Sequence, residues 1–159
     1  MEYSELIAKR HSVRSFQLKE VPRSLLEAMI MEARTAPSSK NCKSTDFLIV
    51  DDKETLRRIA LMRQYGSAFV EGAAAAIVVM GDSTKSDLWV DNAAISATYL
   101  MLSAVDKGLG SCWVHVNSRL RFKHEAEKGT AEDYLREILD ISPEKRILCV
   151  LALGYESKA

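Results

Sequence analysis

The sequence holds little of what would tie a small chain together from outside. Its 159 residues include three cysteines, three prolines, three histidines and seven glycines, and aromatics reach only 7%. Three widely separated thiols (Cys42, Cys112, Cys149), with no Cys-x-x-Cys, cannot form a disulfide framework. His11, His115 and His124 stand apart from them and from each other, so no metal-ligand spacing occurs and no metal is expected. Net charge is also missing: 22 Lys+Arg balance 22 Asp+Glu, which removes the overall field that nucleic acid or an anionic membrane would need. The longest apolar stretches, such as Ala73–Met80, are far too short to span a bilayer. The opening Met1-Glu2-Tyr3-Ser4-Glu5 lacks the charged and apolar regions of a secretory signal, so the expectation is a cytoplasmic protein with reduced thiols.

What is present is a globular composition, 47% hydrophobic, in a length that suits one domain over residues 1–159. Tyr3, Leu6, Ile7 and Arg10 share a helical face. A second helix opens at Val21-Pro22-Arg23-Ser24, through Pro22 at its first position or a Ser24/Glu27 capping box, and stops before Pro37. Phe47–Val50 reads as a buried strand, Asp52 caps a helix reaching Arg63, and Tyr65–Glu71 reads as a short helix. The β-branched second half of Ala73–Met80 predicts another strand. The longest helix runs from about Asp87 to Lys107 and is closed by Gly108. Its small residues, Ala93, Ala94, Ser96, Ala97, Ser103 and Ala104, suit either a core or a subunit interface. A strand follows Gly110, Arg119–Gly129 is a charged connection, Thr130 with Asp133 caps the last helix, and Ile147–Leu153 is a continuous apolar strand. Five or six helices with four strands, several joined by connections too long for hairpins, predict an α+β or α/β fold.

Chemistry is carried by few segments. If the chain is extended after Arg10, its period of two puts Arg10, Ser12 and Arg14 on one side and His11 and Val13 on the other. Two guanidiniums around a hydroxyl make an anion site, because arginine binds phosphate bidentately and stays charged at any working pH. Gly108-Leu109-Gly110 follows a helix, where a nucleotide loop should precede one, so a Rossmann site is rejected. No nucleophile, carboxylate pair or triad stands out. Reactivity in such a chain has to come from a cofactor that the protein orients.

Four segments, Arg10–Phe16, Ala36-Pro37-Ser38-Ser39-Lys40-Asn41, Gly108–Trp113 and Leu151-Ala152-Leu153-Gly154-Tyr155, resemble the nitroreductase family in order and spacing over nearly the whole chain. The resemblance implies a central mixed or antiparallel sheet flanked by helices, and FMN held at the interface of a homodimer. It implies Arg10, His11, Ser12 and Arg14 at the phosphate and ribityl chain, and Pro37, Ser38, Ser39 and Asn41 reaching the flavin from the other subunit. Gly110, Trp113, Val114 and His115 would pass the reactive side of the ring, mainly through backbone groups, with no side chain assigned to catalysis. The implied activity is transfer of hydride from NAD(P)H through FMN to a nitroaromatic, quinone or similar flat oxidant; the rival is a flavin or nucleotide carrier or sensor without turnover. Three departures stand out. Cys42-Lys43-Ser44-Thr45 replaces a common Gln-Pro-Trp, His11 replaces a common arginine, and Lys158 is the only late cation before Ala159.

Overall fold

The computed structural model describes residues 1–158. Five helices, α1 (Tyr3–Lys9), α2 (Arg23–Ala33), α3 (Lys53–Ile59), α4 (Trp89–Asp106) and α5 (Ala131–Ile138), surround four strands. The strands, β1 (Thr45–Val50), β2 (Ala75–Asp82), β3 (Gly110–His115) and β4 (Lys145–Gly154), lie in the order β1-β2-β4-β3, every neighbour antiparallel. The sheet is therefore antiparallel, not mixed, and β1 and β3 are its two edges.

Both faces of the sheet are covered, which is why β2 and β4 read as unbroken apolar runs. Ala75, Ile77 and Val79 of β2 point to the side holding α2 and α4, whereas Ala76, Val78 and Met80 point to the side holding α3 and α5. The small residues of α4 serve the core: Ala93, Ala97 and Ala104 are fully buried against the sheet. They let a long helix approach the strands closely and leave Ile95 and Tyr99 facing outward.

Several boundaries differ from expectation. Pro22 stands just before α2, not inside it, and neither it nor a Ser24/Glu27 box makes a side-chain cap. α3 stops at Ile59, short of Arg63, and in place of the expected Tyr65–Glu71 helix there is a 3₁₀ turn over Ala68–Gly72. Asp52 accepts the Thr55 N–H at 2.9 Å, and Thr130 with Asp133 forms the full capping box. In β4 the register skips one residue: Val79 faces Cys149, but Met80 faces Ile147. Leu148 is thus the extra residue of a bulge, which puts Leu148 and Cys149 in the same core. Its carbonyl accepts from both Val116 and Asn117, each at 3.0 Å, and turns the chain out of the sheet just after His115.

Candidate functional site

The arginine segment is an added strand on the β3 edge. Ser12 bridges Ser111 in parallel, the Val13 N–H donates to the Ser111 carbonyl at 2.9 Å, and the Gln17 N–H donates to Tyr155 at 2.8 Å. Val13 turns inward and is buried, while Ser12 and Arg14 are exposed and Arg10 is half-buried. The expected alternation holds for these residues. His11 breaks it, lying exposed with Nε2 3.0 Å from Glu156 and Nδ1 2.9 Å from the Lys9 carbonyl. No ion pair among the described residues involves Arg10 or Arg14. A cleft of about 250 Å³ on the Val13 side of the segment is lined by Lys9, His11, Val13, Gly110, Ser111 and Glu156, and by neither arginine.

Two glycines make this docking possible. A Cβ on Gly110 would stand 2.7 Å from Val13 Cγ2, and one on Gly154 would stand 2.8 Å from Phe16 Cδ1. Gly110, expected beside the cofactor, thus also has a local duty: it lets the arginine segment lie against β3.

Along β3, the Ser111 carbonyl points outward to Val13, so by alternation the backbone groups of Trp113 and His115 also point out, and those of Val114 point toward β4. Val114 is buried in the core as well. It therefore presents neither side chain nor backbone polar group at the edge. Trp113 and His115 share a face, their rings nearly parallel (6°) with centroids 6.2 Å apart, and the Trp113 indole N–H donates to His115 Nδ1 at 3.1 Å. Burial, followed by the charges of Arg119 and Arg63, holds the His115 pKa below 6.5. An Nδ1 that accepts a hydrogen bond fits that neutral ring.

The Pro37–Asn41 loop lies elsewhere. Ser39–Asn41 forms a 3₁₀ turn in which Lys40 and Asn41 adopt left-handed backbone conformations (φ 51° and 53°). Asn92, buried on the first turn of α4, holds the loop in place. Its Oδ1 accepts the Ser39 N–H at 2.9 Å, and its Nδ2 donates to Ser39 Oγ at 3.0 Å and Ser44 Oγ at 3.1 Å. Sequence reading missed Asn92; a lone amide among the small apolar residues of α4 was the available signal. The Cys42 thiol is pulled below its ordinary pKa, chiefly by its hydrogen bond with Ser44.

The loop and the arginine segment occupy diagonally opposite corners. The loop enters the β1 edge at the end where Thr45 faces Gly81 and Gly81 faces Arg146. The arginine segment joins the β3 edge at the end where Ser111 faces Leu153 and Leu153 faces Ala75. Three strand spacings alone separate these edges by about 14 Å. α4 links the corners, with its N-terminus at the loop through Asn92 and its C-terminus leading into Gly110.

Among the described residues no helix is long and apolar enough to cross a membrane, and no three His, Cys, Asp or Glu side chains cluster as metal ligands would. Comparison with known proteins places these features in context. The nitroreductase family model matches residues 7–76 and 60–155. A protein of Archaeoglobus fulgidus bearing the name NADH dehydrogenase/NAD(P)H nitroreductase is 30% identical over 158 residues, covering 97% of this chain and 85% of its own. One of the same name from Methanothermobacter thermautotrophicus is 33% identical over 119 residues, 73% of this chain but only 62% of that protein's length. Among solved structures, an FMN-dependent nitroreductase from Clostridium difficile R20291 superposes with a TM-score of 0.90 at 34% identity, over 97% of this chain and 87% of that one.

Proposed function

This chain belongs to the nitroreductase family, and we propose that it is an FMN-dependent oxidoreductase, a homodimer that moves hydride from NAD(P)H to a nitroaromatic, quinone or similar flat acceptor. Bound FMN would supply the two-electron chemistry. Arg10, Ser12 and Arg14 hold its single phosphate and ribityl chain. The donor set suits that role: two permanent, bidentate cations flank a hydroxyl, and the neighbouring carboxylate, Glu156, is already engaged by His11. Trp113 and His115 offer outward backbone groups to the ring, and the neutral His115 side chain orients by hydrogen bonding and carries no charge. Residues 1–159 act as one domain in this reading.

The observation that carries the proposal is the pair of guanidiniums without carboxylate partners, fixed to an edge strand in a chain of zero net charge. The diagonal placement of the loop supports the dimer. A two-fold axis through the middle of α4 exchanges its ends, bringing a second copy's Pro37, Ser38, Ser39 and Asn41 toward the first copy's arginine segment. The outer face of α4 suits that contact. Ile95 and Tyr99 are each 38% exposed, and nearby α1 buries no residue of its own while showing Tyr3 at 70%. Helices of seven residues seldom persist without such burial.

The test is direct. Purified protein should carry an oxidised-flavin absorbance that NADH or NADPH bleaches without oxygen and that a quinone or nitroaromatic restores. Flavin that binds but resists both dinucleotides would instead support a carrier or sensor.

A further inference from the structure

A second group of cations stands at the other end of β3, about 14 Å along the strand from Ser111 to His115. A cleft of about 590 Å³ opens there between residues 63–65 and 118–124. Its walls are clasped together. The Gln64 N–H donates to the Arg121 carbonyl at 2.7 Å, the Lys123 N–H to Gln64 Oε1 at 3.0 Å, and Arg121 Nε to the Leu61 carbonyl at 3.2 Å. Arg121 is committed to this clasp, its guanidinium stacked on Tyr134 at 3.9 Å.

Arg63, Arg119 and Lys123 are not committed. No ion pair among the described residues involves them, and all three line the one cleft. Arg63 is half-buried, and its pKa is lowered first by that burial and then by the charge of Arg119. Like charges brought together on the walls of one cleft, with Arg63 half-buried, favour a state with an anion between them. The space is far larger than an inorganic ion needs and lies within the range of organic ligand sites. Exposed Tyr65 on its wall adds a flat face for a base.

We propose that this cleft receives the phosphates of the pyridine-dinucleotide reductant, and that Arg63, Arg119 and Lys123 favour the 2′-phosphorylated form over the unphosphorylated one. The assignment rests on the oxidoreductase reading. FMN has one phosphate, taken by the arginine segment at the opposite end of β3, and flat acceptors need carry none. The dinucleotide is the remaining phosphate-bearing ligand of that reaction.

The probe is 2′,5′-ADP, with 5′-AMP as control, titrated by calorimetry into FMN-loaded protein. The 2′,5′-ADP should bind at least about tenfold more tightly than 5′-AMP, more weakly as salt rises, and about tenfold more weakly to Arg63→Gln and to Arg119→Gln. Lys123→Gln, at an exposed position whose backbone contact survives, should show the same direction if either arginine variant folds poorly. Flavin absorbance should be unchanged throughout. Equal binding of the two probes, or binding indifferent to all three substitutions, would overturn the proposal. So would loss of flavin in the variants, which would put the FMN phosphate here. The two readings fail separately. If neither dinucleotide reduces the flavin, the oxidoreductase reading falls and takes the reductant with it. If both reduce it with equal KM and the probe does not bind, only the cleft assignment falls.

Discussion

His11 and Glu156, 145 positions apart, meet side chain to side chain at 3.0 Å and close the arginine segment onto the strand exit after β4. The contact has two effects. It ties the turn between α1 and the added strand to the rest of the sheet, and it occupies the Glu156 carboxylate. With Nδ1 also bonded to the Lys9 carbonyl, both ring nitrogens act as donors when the imidazole is charged.

The two histidines flanking the site should titrate on opposite sides of 6.5. His11 is raised by its Glu156 hydrogen bond first and by the Lys9 carbonyl next; His115 is lowered by burial and by Arg119 and Arg63. A raised pKa means that the His11 contribution to stability is complete below 6.5 and is lost as pH rises through its folded value. For His115 the contribution is present above 6.5 and is lost as pH falls through its depressed value. Ring-proton NMR titration reads both, and Glu156→Gln should bring His11 back toward 6.5 while leaving His115 in place. Coincident midpoints would contradict these geometries.

Arg14→Ala should weaken FMN binding by about tenfold to a hundredfold, the usual worth of a charge-assisted hydrogen bond in a partly dry site. Arg14→Lys should recover only part, because a point charge cannot reproduce two parallel N–H bonds. Melting of the flavin-free protein should barely move, since the side chain is exposed. Fluorescence quenching of FMN beside melting curves checks all three, and unaltered FMN affinity in the alanine variant would mean that the phosphate binds elsewhere.

Gly110→Ala should destabilise by about 1–3 kcal/mol, the cost of overpacking a well-filled contact. The new Cβ meets three atoms of Val13 between 2.7 and 2.9 Å, two of them methyls. Combining it with Val13→Ala removes those methyls, so the double variant should lose less than the sum of the two single ones. Additive losses in chemical denaturation would show that the glycine is needed for another reason.

Ile95→Asp or Tyr99→Asp should release monomers, because each puts a charge on the outer face of α4 without entering the core. If the partner's loop completes the site, FMN affinity should fall along with dimerisation in sedimentation. A dimer that persists, or a monomer that keeps full FMN affinity, would place the interface elsewhere.

Local chemistry determined much of this protein. The period of apolar residues, the Asp52 and Thr130/Asp133 caps and the glycine after α4 are readable because each depends on residues within a few positions of one another. The same holds for the alternation that separates Arg10, Ser12 and Arg14 from Val13. Tertiary structure decided what depends on distant partners. Small residues on α4 suit any close neighbour, and only packing showed that the neighbour of Ala93, Ala97 and Ala104 is the sheet. The bulge at Leu148 is invisible in an unbroken apolar run, because burial on both faces erases the period of two. Asn92 acquires its role only when α4 meets a loop some fifty residues earlier in the chain. Arg63 read as the end of a helix and Arg119 as part of a charged connection, and only the fold brings the two to one cleft, because separation along the chain hides which cations become neighbours.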